Sequence, residues 1–299
     1  MSFSSDVKSE ISKTENLSSC CFHAQVYGLV LFAHFSKYNF SITTENNDVF
    51  ELYLSYLKDY CGVEPVISRN GTKKMTAYLK SDKEKDAVFD KFGHSLSETT
   101  LRINRANISE ECCAGAFLRG AFLACGTVTQ PERGYHLEFV VPYKRLCTDM
   151  MKFMDELNLN PKYIVRKGNH VIYFKDSESI EDILAIIGAQ DASLYVMGIK
   201  IEKDVKNKVN RKLNFEMSNI SKTVDAANIQ VEAIEYIESK SGISSLPENL
   251  QKIAELRLEH QEASLSELGK LLDEPISRSG INHRLNRIVD IAEKMKNGE

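Results

Sequence analysis

Three groups of side chains stand at spacings that could do chemistry, and they lie far apart along the chain. Near the C-terminus, Arg278, Ser279, Asn282, His283, Arg284 and Arg287 are interleaved with Ile281, Leu285 and Ile288. The aliphatic residues recur after four and three positions, which gives one apolar stripe on an α-helix. The other positions then carry guanidinium, amide, imidazole and hydroxyl groups on the opposite face, where a recognition helix presents donors to the base edges of a major groove. The second group is Lys200, Lys203, Lys206, Lys208, Arg211 and Lys212, cations opposed only by Glu202 and Asp204. Such an excess can meet phosphate, or it can be no more than a solvated helix face. The third group is the two adjacent pairs Cys20-Cys21 and Cys112-Cys113.

The cysteines admit two readings. Cys20 and His23 have the spacing of neighbours on a helix, and Cys112 and Cys113 could join them by symmetry to hold zinc. Against this, the chain has no CxxC pair, adjacent cysteines do not easily share one ion, and small apolar cysteines are common core residues at helix starts. We therefore expect free thiols, no metal and no other cofactor. The odd count of 7 cysteines also argues against a disulfide framework.

The elements that must position the C-terminal group can be read from start and stop signals. Ser277 caps the helix that carries it, and Ser264 with Glu267 three residues on forms a capping box for Leu265 to Leu272. Asp273-Glu274-Pro275 supplies the turn between them. Thr223 to Glu238 and Leu246 to His260 read as two further amphipathic helices, the later one opened by Pro247. This order predicts a helix-turn-helix, with Ser264 and Ser277 counted among its DNA-binding residues. The alternative is a plain helical cap, since Glu255, Glu259, Glu262, Asp273 and Glu274 make the region acidic. The segment SLSELGKLLDEPISRSGINHRL also resembles helix-turn-helix segments of sigma-factor region four, with a longer turn.

The first two thirds of the chain repeat. CCFHAQVYGLVLFAH from Cys20 aligns without gaps with CCAGAFLRGAFLACG from Cys112, which pairs Gly28 with Gly120. After the first copy we expect a strand at Asn39 to Thr44, a helix at Val49 to Tyr60, strands at Val63 to Ser68 and Lys73 to Leu79, and a helix at Lys83 to Phe92. After the second we expect Tyr135 to Val141, a helix at Tyr143 to Leu157, strands at Lys162 to Val165 and His170 to Phe174, and a helix at Ile180 to Gly188. Each unit is thus α-β-α-β-β-α. A glycine inside a helix costs about 1 kcal/mol relative to alanine. Its recurrence at one position predicts that the two helices approach each other closely there.

LRGAFLACG, Leu118 to Gly126, resembles the nine-residue LAGLIDADG motif of homing endonucleases, and VYGLVLFAH, Val26 to His34, is a weaker copy. The resemblance implies two such helices at the interface of pseudo-symmetric halves, with an acid at the eighth motif position holding the metal for strand cleavage. Those positions are Ala33 and Cys125 here. Divalent-metal hydrolysis needs hard oxygen ligands, so cleavage should be lost and no catalytic residue is assigned.

Taken together, LRGAFLACGTV, SLPENLQKIAELRLEH and SGINHRL make the chain similar to the bacterial WhiA family along essentially its whole length. The expected fold class is α+β: a pseudo-symmetric LAGLIDADG-like domain at 1–195, a basic helical linker at 196–220, and an all-α helix-turn-helix domain at 221–299. The family implies binding of double-stranded DNA, transcriptional control, and roles in sporulation, cell division or chromosome segregation. Base readout would fall to Arg278, Ser279, Asn282, His283 and Arg284, and phosphate contacts to Arg287 with Lys203, Lys206, Lys208, Arg211 and Lys212. Transcription or cell-division proteins could be further partners. Two alternatives remain open, a nuclease with displaced acids and a protein-interaction scaffold.

Composition fits this picture without deciding it. With 299 residues and 42% hydrophobic content the chain can build two cores, and its net charge of −4 argues neither for nor against nucleic acid. No apolar run reaches the roughly 20 residues of a bilayer span. The first residues lack the basic start and apolar core of an export signal, so a reducing cytoplasmic, nucleoid-associated location is expected.

Overall fold

The computed structural model describes residues 2–15, 17–36, 39–69, 73–98 and 100–298. Contacts divide the chain into two compact units, Met1–Lys203 and Asp204–Glu299.

The first unit opens with helix α1 (Phe3–Ser12) and then runs twice through one motif. The first pass is α2 (Ser19–Phe32), β1 (His34–Ser36), β2 (Asn39–Thr44), α3 (Asn47–Ser55), β3 (Val66–Arg69), β4 (Met75–Leu79) and α4 (Asp82–Asp90). A π-helical turn, Tyr56–Tyr60, prolongs α3. The second pass is α5 (Cys113–Cys125), β5 (Gly126–Val128), β6 (Leu137–Val141), α6 (Lys144–Glu156), β7 (Lys162–Arg166), β8 (Asn169–Phe174) and α7 (Ser177–Ile186). Each repeat is therefore α-β-β-α-β-β-α, one short strand richer than expected. Those extra strands span three residues each and follow their helices directly, so no turn signal announces them.

Both sheets are antiparallel and share one topology, β1-β2-β4-β3 and β5-β6-β8-β7. Alternation sets their inner faces: Leu137, Phe139 and Val141 of β6 are buried, and Leu137 pairs with Phe174 in register. In the first sheet Phe40 and Ile42 pair with Leu79 and Ala77, and all four are buried.

Helices α2 and α5 pack face to face at the centre of the unit, apolar on nearly all sides. A Cβ placed on Gly28 would lie 2.2 Å from the Phe117 carbonyl oxygen, and one on Gly120 would lie 2.1 Å from that of Gln25. Any side chain at either position forces the backbones apart, which explains the repeated glycine. A buried polar link spans the same crossing: Arg119 donates from Nη1 to Gln25 Oε1 at 2.8 Å and from Nε to the Ile187 carbonyl at 2.5 Å. Gln25 in turn donates to the Tyr56 hydroxyl at 2.6 Å.

The expected basic linker and the expected helix at Thr223 to Glu238 are not separate elements. Both belong to one 52-residue helix, α8 (Gln190–Ser241), and the division between the units falls inside it at Lys203 and Asp204. No proline interrupts this stretch, and lysine, glutamate and alanine favour continuation. It stops at Gly242, whose φ of +75° is left-handed and favours glycine. The second unit is completed by α9 (Glu248–Glu259), α10 (Leu265–Leu271) and α11 (Arg278–Asn297).

Gly28→Ala or Gly120→Ala should lower the unfolding free energy by about 1–3 kcal/mol, as overpacking of a tight contact does. Gly198, exposed in α8 with open space around its Cα, is the control: Gly198→Ala should leave stability unchanged or raise it by up to about 1 kcal/mol. Urea denaturation of the three variants checks both signs.

Candidate nucleic-acid interface

Helices α9, α10 and α11 enclose a small core with the end of α8. Ile234, Ile237, Leu250, Ile253, Leu268, Ile281, Leu285 and Ile288 are buried in it. The capping residues read from the sequence are in place. The Ser264 hydroxyl accepts from the Glu267 N–H at 3.3 Å, and the Glu267 carboxylate accepts from the Ser264 N–H at 2.7 Å. Those bonds hold the Glu267 carboxyl below the usual range. Ser277 caps α11 by accepting from the Gly280 N–H at 3.2 Å.

The turn between α10 and α11 is held by close backbone contact. The Ile276 N–H donates to the Gly269 carbonyl at 3.2 Å, and a Cβ on Gly269 would stand 2.4 Å from the Ile276 oxygen. Upstream, Arg257 is 2% exposed and donates to the carbonyls of Gln261 and Ala263 at 3.2 and 2.8 Å. It closes the end of α9 and fixes the entry to α10. Sequence reasoning missed this residue, although it continues the buried spacing of Leu250, Ile253 and Ala254, where an arginine is conspicuous.

Along α11, Ser279, His283 and Arg287 are exposed, as are Arg278 and Asn282 on one flank. Asn286 belongs to the same outward stripe, three residues after His283, and was not among the expected residues. Arg284 sits on the other flank, half-buried, and donates to the Asn249 carbonyl at 3.4 Å. The structure therefore separates Arg278 from Arg284, which the sequence reading had grouped.

Arg278 and Asn282 border a groove of about 600 Å³ whose other walls include Ser264, Ser266, and Asn219 and Lys222 of α8. Lys222 follows Arg211 after close to three turns at about 3.6 residues per turn, so both occupy one side of α8. Lys208 and Lys212, four residues apart, stand together on one side of Arg211 round the helix, and all three are exposed. One face of the second unit thus runs from Lys208 through Lys222 to Arg278. Lys222 was missed in the sequence because it stands outside the dense basic run. The run itself does not act as one cluster. Lys203 donates to the Pro131 carbonyl at 2.5 Å and lies over the Tyr135 ring at 4.6 Å, within the first unit. Lys206 is exposed, and Lys212 comes within 4.0 Å of Glu216.

The first unit has its own groove, about 700 Å³, between the two sheets at the ends of α2 and α5. Ala33 and Cys125 line it together with Ser41, Thr43, Thr76 and Tyr78, and among the described residues no carboxylate lines it. Burial pushes the Cys125 thiol up to about 12. The neighbouring Lys8 ammonium donates to the Leu123 carbonyl at 3.0 Å, and burial brings its pKa down to about 8.

Two family models match, the WhiA LAGLIDADG-like domain over residues 114–206 and the WhiA C-terminal HTH domain over residues 209–292. A "Probable cell division protein WhiA" from Clostridium botulinum is 39% identical over 315 residues, covering 100% of each chain. The chain belongs to the WhiA family. A second family member of the same name, from Alkaliphilus metalliredigens, is 38% identical over 98% of both chains. The crystal structure of full-length WhiA from Thermatoga maritima superposes with a TM-score of 0.57 at 26% identity, covering 98% of this chain and 99% of that one. The LAGLIDADG-like and helix-turn-helix architecture described above is thus that of the family.

Outside the grooves, the thiols of Cys20, Cys21, Cys112 and Cys113 converge in the first unit. This corrects their reading as ordinary core residues: Cys113 is buried, but Cys20 and Cys21 are half-buried and Cys112 is exposed. His23, weighed beside them, is engaged elsewhere, with the Tyr60 hydroxyl at 2.5 Å and Asn107 Oδ1 at 2.8 Å.

Gly269→Ala should loosen the turn that aims α11 and destabilise the second unit by about 1–3 kcal/mol. Amide hydrogen exchange of full-length protein should show faster exchange in α10 and α11 and unchanged exchange in α2 and α5.

Proposed function

We propose that this chain is a non-catalytic, sequence-specific binder of double-stranded DNA that regulates transcription in connection with cell division and chromosome segregation, as a nucleoid-associated cytoplasmic protein. The observation that carries the proposal is the single face joining Lys208, Arg211, Lys212 and Lys222 to Arg278 and Asn282. An N-terminal helix turn rich in arginine and amide groups suits base edges, and cations spaced along an adjoining helix suit successive phosphates. In this reading Arg278, Ser279, Asn282 and His283 meet bases. Arg287 with Lys206, Lys208, Arg211, Lys212 and Lys222 meets phosphate, and the Ser264 and Ser277 hydroxyls at two helix starts can do the same. Arg284, held against Asn249, supports the position of α11. Cell division enters through the name of the relatives.

The lack of a carboxylate among the described residues that line the groove of the first unit supports the non-catalytic part. An ammonium beside Cys125 repels a divalent cation, and neither alanine nor a protonated thiol replaces a hard oxygen ligand. Plasmid DNA incubated with the protein and magnesium or manganese should stay intact. Cleavage would overturn this part of the reading.

The scaffold alternative has one observation in its favour, the exposed apolar residues Val205, Val209, Leu213 and Met217 on α8. Salt dependence distinguishes the two. Binding of full-length protein to genomic fragments should weaken steeply with salt. Arg278→Ala should cost about 1–3 kcal/mol on the selected sequence, while Arg211→Ala should weaken all sequences alike and reduce the salt slope by about 1. Binding with no salt dependence and no effect of either substitution would favour the scaffold.

A further inference from the structure

The strongest unassigned feature is the meeting of the two cysteine pairs. Helix α2 carries Cys20 and Cys21 in its first turn, while Cys112 caps α5 and Cys113 opens it. Because α2 and α5 cross at Gly28 and Gly120, their starts lie side by side. All four sulfurs fall within 4.8 Å of one another, and Cys20 Sγ stands 3.8 Å from Cys112 Sγ. Zinc held by four thiolates at about 2.3 Å requires sulfurs about 3.8 Å apart at the corners of a tetrahedron. The objection that neighbouring cysteines do not easily share an ion is met by the geometry, since both sulfurs of each pair already lie within 4.8 Å of the other pair. Here each helix start offers two sulfurs from one side, and the pseudo-symmetric partner offers two from the other.

We propose that Cys20, Cys21, Cys112 and Cys113 form a structural zinc site that clamps the two repeats together at the starts of α2 and α5. The donor set is all sulfur, which selects zinc over magnesium or calcium. Binding exchanges four S–H bonds for four Zn–S bonds and releases four protons to solvent, leaving a centre of net charge −2. The four cysteines lie at the starts of two helices, where the helix dipole favours negative charge. No protein position remains open on the ion, so the site closes the fold and has no role in hydrolysis. The inference is independent of DNA binding, because no residue of the second unit takes part.

The test uses full-length protein, reduced and stripped by a chelator, then titrated with zinc or with cobalt as its spectroscopic substitute. One ion per chain should bind by elemental analysis. The cobalt form should show thiolate-to-metal charge transfer of four-sulfur intensity with the d–d bands of a tetrahedral centre. Zinc should also shield Cys20, Cys21 and Cys112 from a thiol reagent and raise the unfolding temperature. Cys112→Ser is an informative variant, because Cys112 is exposed and a serine there disturbs little packing. It should lose the stoichiometric ion and the four-sulfur spectrum. His23→Gln should keep both. A wild-type protein that takes up no ion after reduction, or gives a cobalt spectrum without sulfur charge transfer, overturns the proposal whatever the variants do. So does a Cys112→Ser variant that keeps the wild-type spectrum.

Discussion

The backbone contact between α2 and α5 is the constraint on which the first unit turns. With the Phe117 and Gln25 carbonyls only 2.2 and 2.1 Å from where a Cβ would stand on Gly28 and Gly120, the helices cross at one point and at nearly one separation. Everything carried by either helix is thereby fixed relative to the other repeat. At one end this brings four thiols together. At the other it sets Ala33 and Cys125 side by side at the head of the groove between the sheets. The Arg119, Gln25 and Tyr56 bonds add a directional lock, since a buried guanidinium left without acceptors would cost far more than its bonds contribute.

That geometry also explains how the LAGLIDADG-like frame tolerates alanine and cysteine at the eighth motif positions. Packing of the two helices depends on small residues and apolar faces, and the acids at the eighth motif positions contribute nothing to it. Alanine and a buried thiol fit the same space more cheaply than carboxylates, whose desolvation would need compensation by bound metal. Lys8 reverses the local charge at the α5 end. The frame then needs no acid at these positions to hold together, and its groove has the hydroxyls of Ser41, Thr43 and Thr76 where metal chemistry would need acids.

Much of this was legible in the sequence because it rests on local rules. The repeated glycine pointed to the helix crossing, the strand expected at Asn39–Thr44 forms there and the one expected at Lys73–Leu79 forms at Met75–Leu79, and the capping serines marked the starts of α10 and α11. What escaped was non-local or lacked punctuation. Three-residue strands carry too few positions for a pattern. Helix α8 was divided because its composition changes from basic to amphipathic, although composition does not break a helix and no glycine or proline intervenes between 204 and 241. The cysteine pairs were expected to be core residues at two helix starts, and spacing along the chain could not show that Cys20, Cys21 and Cys112 stay partly open to solvent. Arg278 and Arg284 looked equivalent on one polar face, until the Asn249 carbonyl claimed one of them.

The net charge of −4 is no obstacle to a DNA-facing surface, because electrostatic reach in physiological salt is only about 8 Å. A phosphate near Arg211 responds to Lys208, Lys212 and Lys222, and hardly at all to acids elsewhere on the molecule. Continuity of the α8 backbone matters for the same reason. A flexible linker would spread its cations over many positions, each costing entropy to bring onto phosphate, whereas a helix presents them at fixed rise beside the residues aimed at the bases. In the proposed reading, α8 would supply the alignment and α11 the discrimination.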